Sequence, residues 1–331
     1  MKRWILGSAI AAFVALIAGF ALGPVIFRDP PATSGSNPEQ SPTLTRGGMT
    51  GSIKVLASTN VWASVIEIIG GDWVEVTAII DNVAQDPHSY EATARDQLAV
   101  QDSELVIANG GGYDEFMTQL VSATDGEKIF LELVEGKHSH TEDDHDATNA
   151  EAAEVNAHEN EHIWYDLHAV ADAAELIAEA INELRPEAFD DVNQNYDFFA
   201  SELENLQLRV DSLRDRALGL GVIAVEGVGN LMLNDAGFEN LTPQSLADAI
   251  EEERDVPLTA ADEARTLIKN KLVVLLVTNT QVQDAVSADL VKMAESVGTP
   301  VVELSEVIPS EELDYLDWMA SVIDRLQQAI Y

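Results

Sequence analysis

The chain has 331 residues, of which 58 are acidic and 18 basic, and its formal net charge is −40. Such a charge repels anionic partners and attracts cations, so nucleic acid is excluded as an expected ligand. The absence of cysteine excludes disulfides, thiolate metal sites, cysteine nucleophiles and an acylated cysteine. The length is sufficient for two domains with their own cores.

The start of the chain predicts export. A basic amino terminus precedes an uncharged stretch from Trp4 to Phe27, which is long enough to cross a bilayer as a helix. Because Pro24 disfavours cleavage at the preceding small residues, 1–28 is predicted to be an uncleaved membrane anchor, with a cleaved signal segment as the alternative. Either version makes the body extracytoplasmic. Residues 29–51 are rich in Pro, Ser, Thr and Gly and predict a flexible linker.

Predicted strands and helices alternate through 52–185, which indicates βαβ units and a mainly parallel sheet. Strands are expected at 53–58, 74–80, 105–108 and 128–133, and helices at 60–69, 92–101 and 114–122. Ligands bind at the carboxyl ends of the strands of such sheets. His88 lies in a loop that follows the second strand, so it is a candidate metal ligand. The alternative is a surface histidine beside a turn.

Residues 135–161 interrupt this pattern with an acidic segment that has no apolar period, which predicts a disordered insertion. It holds four of the seven histidines, namely His138, His140, His145 and His158. Such tracts bind transition metals weakly, so auxiliary metal capture is predicted, with a solvated acidic loop as the alternative. His162 then begins an ordered strand or strand-to-helix turn, which a helix follows up to Leu184. Trp164 is predicted to be in the core and His168 at the surface.

One long amphipathic helix is predicted between 187 and 218. Its apolar residues recur at alternating steps of three and four: Phe189, Val192, Tyr196, Phe199, Leu203, Leu206, Val210, Leu213 and Ala217. Pro186 precedes the pattern and Gly219 follows it, as expected at helix ends. A helix of roughly 48 Å is longer than one small domain needs. Residues 186–219 are therefore predicted to link two lobes, and a coiled coil is the alternative.

Residues 220–331 again alternate strands and helices. Strands are expected at 222–225, 272–277 and 300–304, and helices at 231–234, 243–253, 260–270, 285–297 and 311–330. Glu226 and Glu306 each come directly after a strand. Asn279 also follows a strand and is a candidate to support the metal ligands. Trp318 is predicted to be a core aromatic residue.

Four candidate donors thus stand at strand ends, His88 and His162 in the first lobe and Glu226 and Glu306 in the second. Two neutral imidazoles and two carboxylates can satisfy Mn²⁺, Zn²⁺ or Fe²⁺, and the two negative charges would neutralise the cation. The predicted fold class is α/β. Two βαβ lobes with mainly parallel sheets are joined by one long helix, and the metal site lies in the cleft between them.

Four features carry a resemblance to a known family. They are Asp86-Pro87-His88-Ser89-Tyr90, Ala108-Asn109-Gly110, His162-Ile163-Trp164-Tyr165-Asp166 and the long helix that follows. From Ser52 to Tyr331 the chain resembles the metal-binding solute-binding proteins of ABC importers for zinc and manganese. The resemblance implies His88, His162, Glu226 and Glu306 as first to fourth ligands. Glu161 replaces a common proline, and Glu306 stands where aspartate is usual.

This resemblance implies a monomeric, membrane-tethered extracytoplasmic receptor that delivers Zn²⁺ or Mn²⁺ to an ABC permease with little hinge motion. In the family, glutamate as third ligand goes with manganese and a histidine-rich loop with zinc, so the metal stays open. The alternatives are a metal buffer or an adhesin that acts through the loop at 135–161. A zinc hydrolase is less favoured, because four protein donors leave no open position for water.

Overall fold

Two parallel four-stranded sheets organise the part of the chain that this computed structural model describes, residues 51–331 except 86, 127, 135–159, 253 and 283. The first sheet consists of β1 (Ile53–Thr59), β2 (Val74–Ile80), β3 (Leu105–Gly110) and β4 (Ile129–Val134). The second consists of β5 (Gly221–Ala224), β6 (Glu239–Asn240), β7 (Leu275–Asn279) and β8 (Val301–Leu304). The strand orders are β2-β1-β3-β4 and β6-β5-β7-β8, so the two lobes share one topology.

Ten helices accompany these strands within the described residues. They are α1 (Asn60–Gly70), α2 (Ala94–Asp102), α3 (Glu115–Ser122), α4 (Leu167–Leu184), α5 (Phe189–Ala217), α6 (Asn230–Asp235), α7 (Gln244–Glu251), α8 (Leu258–Lys269), α9 (Ala285–Val297) and α10 (Tyr315–Ala329). The α/β fold class with two parallel-sheet lobes and a long linking helix is confirmed. Because each strand order reverses beside β1 or β5, the strand ends there form the crevice in which ligands of such sheets bind.

The long helix α5 has 29 residues, or about 43 Å. A short 3₁₀ turn, Pro186–Ala188, leads into it. Acidic side chains lie in its first turn and basic ones in its last, as the helix dipole favours: Asp190, Asp191, Arg214 and Arg216. Its buried stripe packs against α1, α4 and α10 of the same chain. Phe189 departs from the prediction, since it is 56% exposed at the start of the helix.

One hydrophobic cluster runs through both lobes. It contains buried residues of the first sheet, α1, α4, α5, the second sheet and α10, including Ile53, Leu203, Val222 and Leu326. The core aromatic residues Trp164 and Trp318 are fully buried, as predicted. The lobes therefore share one core along the long helix.

Two apolar segments differ from the predictions. The strand expected from Leu272 begins at Leu275, and Leu272 is 57% exposed, because the turn that closes α8 passes through Lys271 at φ 57°. The last helix begins at Tyr315 rather than at 311, because Asp314 caps it by accepting the N–H of Asp317. Leu313 lies outside that helix and is 89% exposed.

The structure does not describe the segment that is predicted to anchor the protein in the membrane. Within the described ranges, none of the helices combines the length and the hydropathy needed to traverse a bilayer. The predicted anchor, 1–28, lies outside the described residues, as do 29–50 of the predicted linker and 135–159 of the predicted insertion, with His138, His140, His145 and His158.

Candidate metal centre

His88 stands in the loop that follows β2, at the carboxyl edge of the first sheet. Its side chain is 29% exposed, and its two ring nitrogens face different carboxylates. Nδ1 lies 3.3 Å from Oε1 of Glu161, and Nε2 lies 3.5 Å from Oε2 of Glu306. The ring meets Tyr113 edge-on, with centroids 5.1 Å apart. His88 therefore contacts groups of both lobes.

His162 precedes a 3₁₀ turn, Ile163–Tyr165, that leads into α4, in agreement with the strand-to-helix turn expected there. It is 2% exposed, and its ring packs against Trp164. Both its backbone N–H and its Nδ1 lie 2.9 Å from Oδ1 of Asn160. Its buried Nε2 has no hydrogen-bond partner among the described residues and lies 3.9 Å from Oε1 of Glu306. This nitrogen is thus directed at the acidic groups of the second lobe.

Glu306 follows β8 and is 2% exposed. The side-chain amide of Asn279 donates to its Oε1 at 2.7 Å, and the hydroxyl of Tyr113 donates to its Oε2 at 3.2 Å. Its backbone N–H donates to Oε1 of Gln281 at 2.6 Å. These contacts come from both lobes and orient the carboxylate toward the histidines.

Glu226 follows β5 and is 4% exposed. Among the described residues its buried Oε1 has no hydrogen-bond partner. Burial, together with the negative charge of Glu306, raises the pKa of Glu226 to about 8. A buried carboxyl that resists ionisation is a costly group, and a bound cation would remove that cost.

Glu306 and His162, the other buried ligand candidates, shift each other's pKa. Burial alone would raise the pKa of Glu306, but the neighbouring His162 and His88, with the amide of Asn279, lower it. Burial opposes protonation of His162, but the charge of Glu306, with other nearby carboxylates, outweighs this and raises its pKa. The donor set therefore holds protons that a divalent cation would displace.

One cavity of about 410 Å³ collects all four predicted donors, His88, His162, Glu226 and Glu306. The cavity is also lined by Ile250, Glu251, Arg254, Asp255 and residues at the start of α9. The donors lie where the carboxyl edges of the two sheets meet. Two imidazoles and two carboxylates in a partly apolar cavity suit a transition-metal dication better than an organic substrate.

Sequence reasoning missed some residues of this centre. The sequence pattern places Glu161 at the end of the predicted insertion, yet one ligand atom each of His88, Glu161 and His162 lie within 4.8 Å of one another, close enough for a metal. Tyr113 is not predicted either, because a single tyrosine after a glycine turn carries no sequence signal.

Asn279 contacts a predicted ligand directly. His168 is at the surface, with a 73% exposed side chain.

A family described as ZnuA, zinc-uptake complex component A, periplasmic, matches residues 55–329 of the chain. The manganese-binding lipoprotein MntA of Halalkalibacterium halodurans is 26% identical over 155 residues, 47% of each chain. The metal-binding protein YtgA of Chlamydia trachomatis is 29% identical over 155 residues, 47% of this chain and 45% of YtgA. The chain spans about half the length of these curated relatives.

Solved structures share the fold. A ZnuA crystal structure has a TM-score of 0.66 at 19% identity, covering 84% of this chain and 98% of the other. The periplasmic zinc-binding protein TroA of Treponema pallidum has a TM-score of 0.64 at 17% identity, covering 85% and 99%. A Mn-bound periplasmic metal-binding protein of Candidatus Liberibacter asiaticus has a TM-score of 0.63 at 16% identity, covering 85% and 100%.

Proposed function

This chain belongs to the ZnuA family of periplasmic zinc-uptake components, and on that premise we propose that it captures a divalent transition metal outside the cytoplasmic membrane and delivers it to an ABC import permease. The family consists of substrate-binding transport proteins, so the chain is not an enzyme. The metal is accordingly cargo, which must bind tightly and leave unchanged.

We assign His88, His162, Glu226 and Glu306 as the ligands of this metal. The observation that carries the assignment is their convergence from both lobes on one cavity. It is supported by two buried ligand atoms without a hydrogen-bond partner among the described residues, Nε2 of His162 and Oε1 of Glu226. A dication bound by these atoms would satisfy both and would neutralise the two carboxylates.

The proposed cargo is Zn²⁺ or Mn²⁺. Two carboxylates among four ligands make the site harder than an all-histidine site, which favours manganese relative to such a site. The order of intrinsic affinities nevertheless places zinc above manganese at the same ligands. A competition between the two metals decides this point directly.

The surroundings of the cavity fit a role in cation capture outside the membrane. The net charge of −40 draws cations toward the protein surface. The predicted histidine-rich insertion, 135–161, would collect metal weakly and release it to the cavity. Because the 331 residues contain no cysteine, we propose that the uncharged stretch from Trp4 to Phe27, rather than an acylated cysteine, tethers a monomeric body to the membrane.

The test is a metal competition titration of the purified protein, with and without residues 135–159, for Zn²⁺ and Mn²⁺. We expect one tight site that survives deletion of the insertion, and loss of that site when His88 and His162 are both replaced by alanine. Tight binding that persists in the double variant would refute the assignment. If all binding disappeared with the insertion, the protein would be a metal buffer or an adhesin.

A further inference from the structure

Two consecutive residues, Asn160 and Glu161, face the Nδ1 atoms of the two histidines in the cavity. Oδ1 of Asn160 lies 2.9 Å from Nδ1 of His162, and Oε1 of Glu161 lies 3.3 Å from Nδ1 of His88. In both rings the opposite nitrogen, Nε2, is directed at Glu306, at 3.5 Å from His88 and 3.9 Å from His162. Each imidazole therefore has one nitrogen toward the ligand cluster and one toward a supporting oxygen.

The backbone around Glu161 is fixed independently of its side chain. Its carbonyl oxygen accepts the side-chain amide of Asn109 at 3.0 Å and the N–H of Ile163 at 2.8 Å. The preceding Asn160 donates to the carbonyl of Gly227, in the other lobe, at 2.7 Å. The carboxylate of Glu161, 21% exposed, is thus held against His88 by a segment that spans the two lobes.

We propose that Glu161 is a positioning residue for metal binding. Its carboxylate accepts the Nδ1–H of His88, which keeps Nε2 as the nitrogen that carries the lone pair and holds the ring toward the metal. A carboxylate bonded to a ligating histidine also makes that histidine a stronger donor. The inference rests on the proposed function, since it takes His88 to be a ligand of the cargo.

The test compares Zn²⁺ affinities of full-length variants in competition with a chromophoric chelator. We expect E161A to weaken binding about 10- to 100-fold, the usual cost of losing such a partner, and E161Q to weaken it less, because the glutamine oxygen still accepts a hydrogen bond. E204A is the matched control, since Glu204 is an exposed glutamate on α5, away from the cavity. Its affinity should stay near that of the unmodified protein.

A double-mutant cycle with His88 separates positioning from other roles. If Glu161 acts through His88, E161A adds no further loss in the H88A background. Nitrogen-15 spectra should show the Nδ1–H tautomer of His88 in the unmodified protein and a shift toward Nε2–H in E161A. Equal effects of E161A and E204A, or an undiminished loss in the H88A background, would overturn the proposal. If H88A itself bound Zn²⁺ normally, the ligand assignment would fail first, and this inference with it.

Discussion

Glu226 is expected to support metal binding but to lower the stability of the metal-free protein. Burial and the charge of Glu306 raise its pKa to about 8, whereas an unfolded glutamate has a pKa near 4.3. Because the folded-state pKa is the higher one, the stabilising contribution of the protonated group is complete below about pH 4 and is lost as the pH rises through about 8. At pH 8 the metal-free protein therefore carries a penalty that a neutral side chain would avoid.

We predict that E226Q stabilises the metal-free protein on the order of 5 kcal/mol at pH 8 and only about 1 kcal/mol at pH 5, and at the same time weakens Zn²⁺ binding strongly. Thermal unfolding in excess chelator at both pH values measures the first effect, and competition titration measures the second. E204Q, which removes an exposed charge on α5 away from the cavity, should change neither. A destabilised E226Q at pH 8 would contradict this account.

Asn279 acts on the site through Glu306, to whose Oε1 its amide donates at 2.7 Å. We predict that N279A weakens metal binding about 10- to 100-fold, because the carboxylate loses the bond that orients it. The control is N205A, an exposed asparagine on α5. Competition titrations of both variants test this prediction, and equal affinities would show that Asn279 does not position the ligand.

The periodicity of the long helix α5 predicts which of its residues are buried. Leu203 belongs to the buried stripe of α5 and is 3% exposed, whereas Leu208, outside the stripe, is 60% exposed. We predict that L203A lowers the free energy of unfolding by about 2–5 kcal/mol and L208A by about 0.5 kcal/mol or less. Urea denaturation in chelator measures both. Similar losses in the two variants would mean that the stripe is not the packing face.

Element prediction was successful where apolar residues recur over several turns or fill a strand. β2 and α9 have the predicted bounds, and α5 differs by two residues at its start and one at its end. It failed where a local turn or cap outweighs hydrophobicity, as at Leu272 and Leu313. The two-residue strand β6 has too little pattern to be predicted from sequence.

At the scale of the whole molecule, strand ends were enough to select His88, Glu226 and Glu306 as candidates, because parallel strands end at one edge of a sheet. Their common cavity depends on how the two lobes meet, and no local pattern encodes that. Tyr113 contacts Glu306 although the two residues are 193 positions apart, so no local sequence pattern predicts this contact. The residues around the ligands are therefore harder to predict than the candidate ligands themselves.

The shared core restricts how the two lobes can move relative to each other. The hydrophobic cluster runs from the first sheet through α5 into the second, and hydrogen bonds also join the two lobes. Asn60 both donates to and accepts from the backbone of Ile308, at 2.9 Å each, and Gln281 donates to the carbonyl of Gln85 at 2.9 Å. Opening the lobes as rigid bodies would expose this core, at about 25 cal/mol for each Å² of apolar surface.

We therefore predict that the lobes unfold together and that metal binding does not close them. Tryptophan fluorescence and circular dichroism should report one coincident transition in urea. Small-angle X-ray scattering should give radii of gyration that agree within about 1 Å with and without saturating Zn²⁺, as for other pre-organised binding sites. Separate transitions, or a decrease of several Å in the radius of gyration on metal binding, would instead indicate a hinge between the lobes. Metal release to a permease would then proceed by opening of the lobes rather than by local movement of the loop around His88.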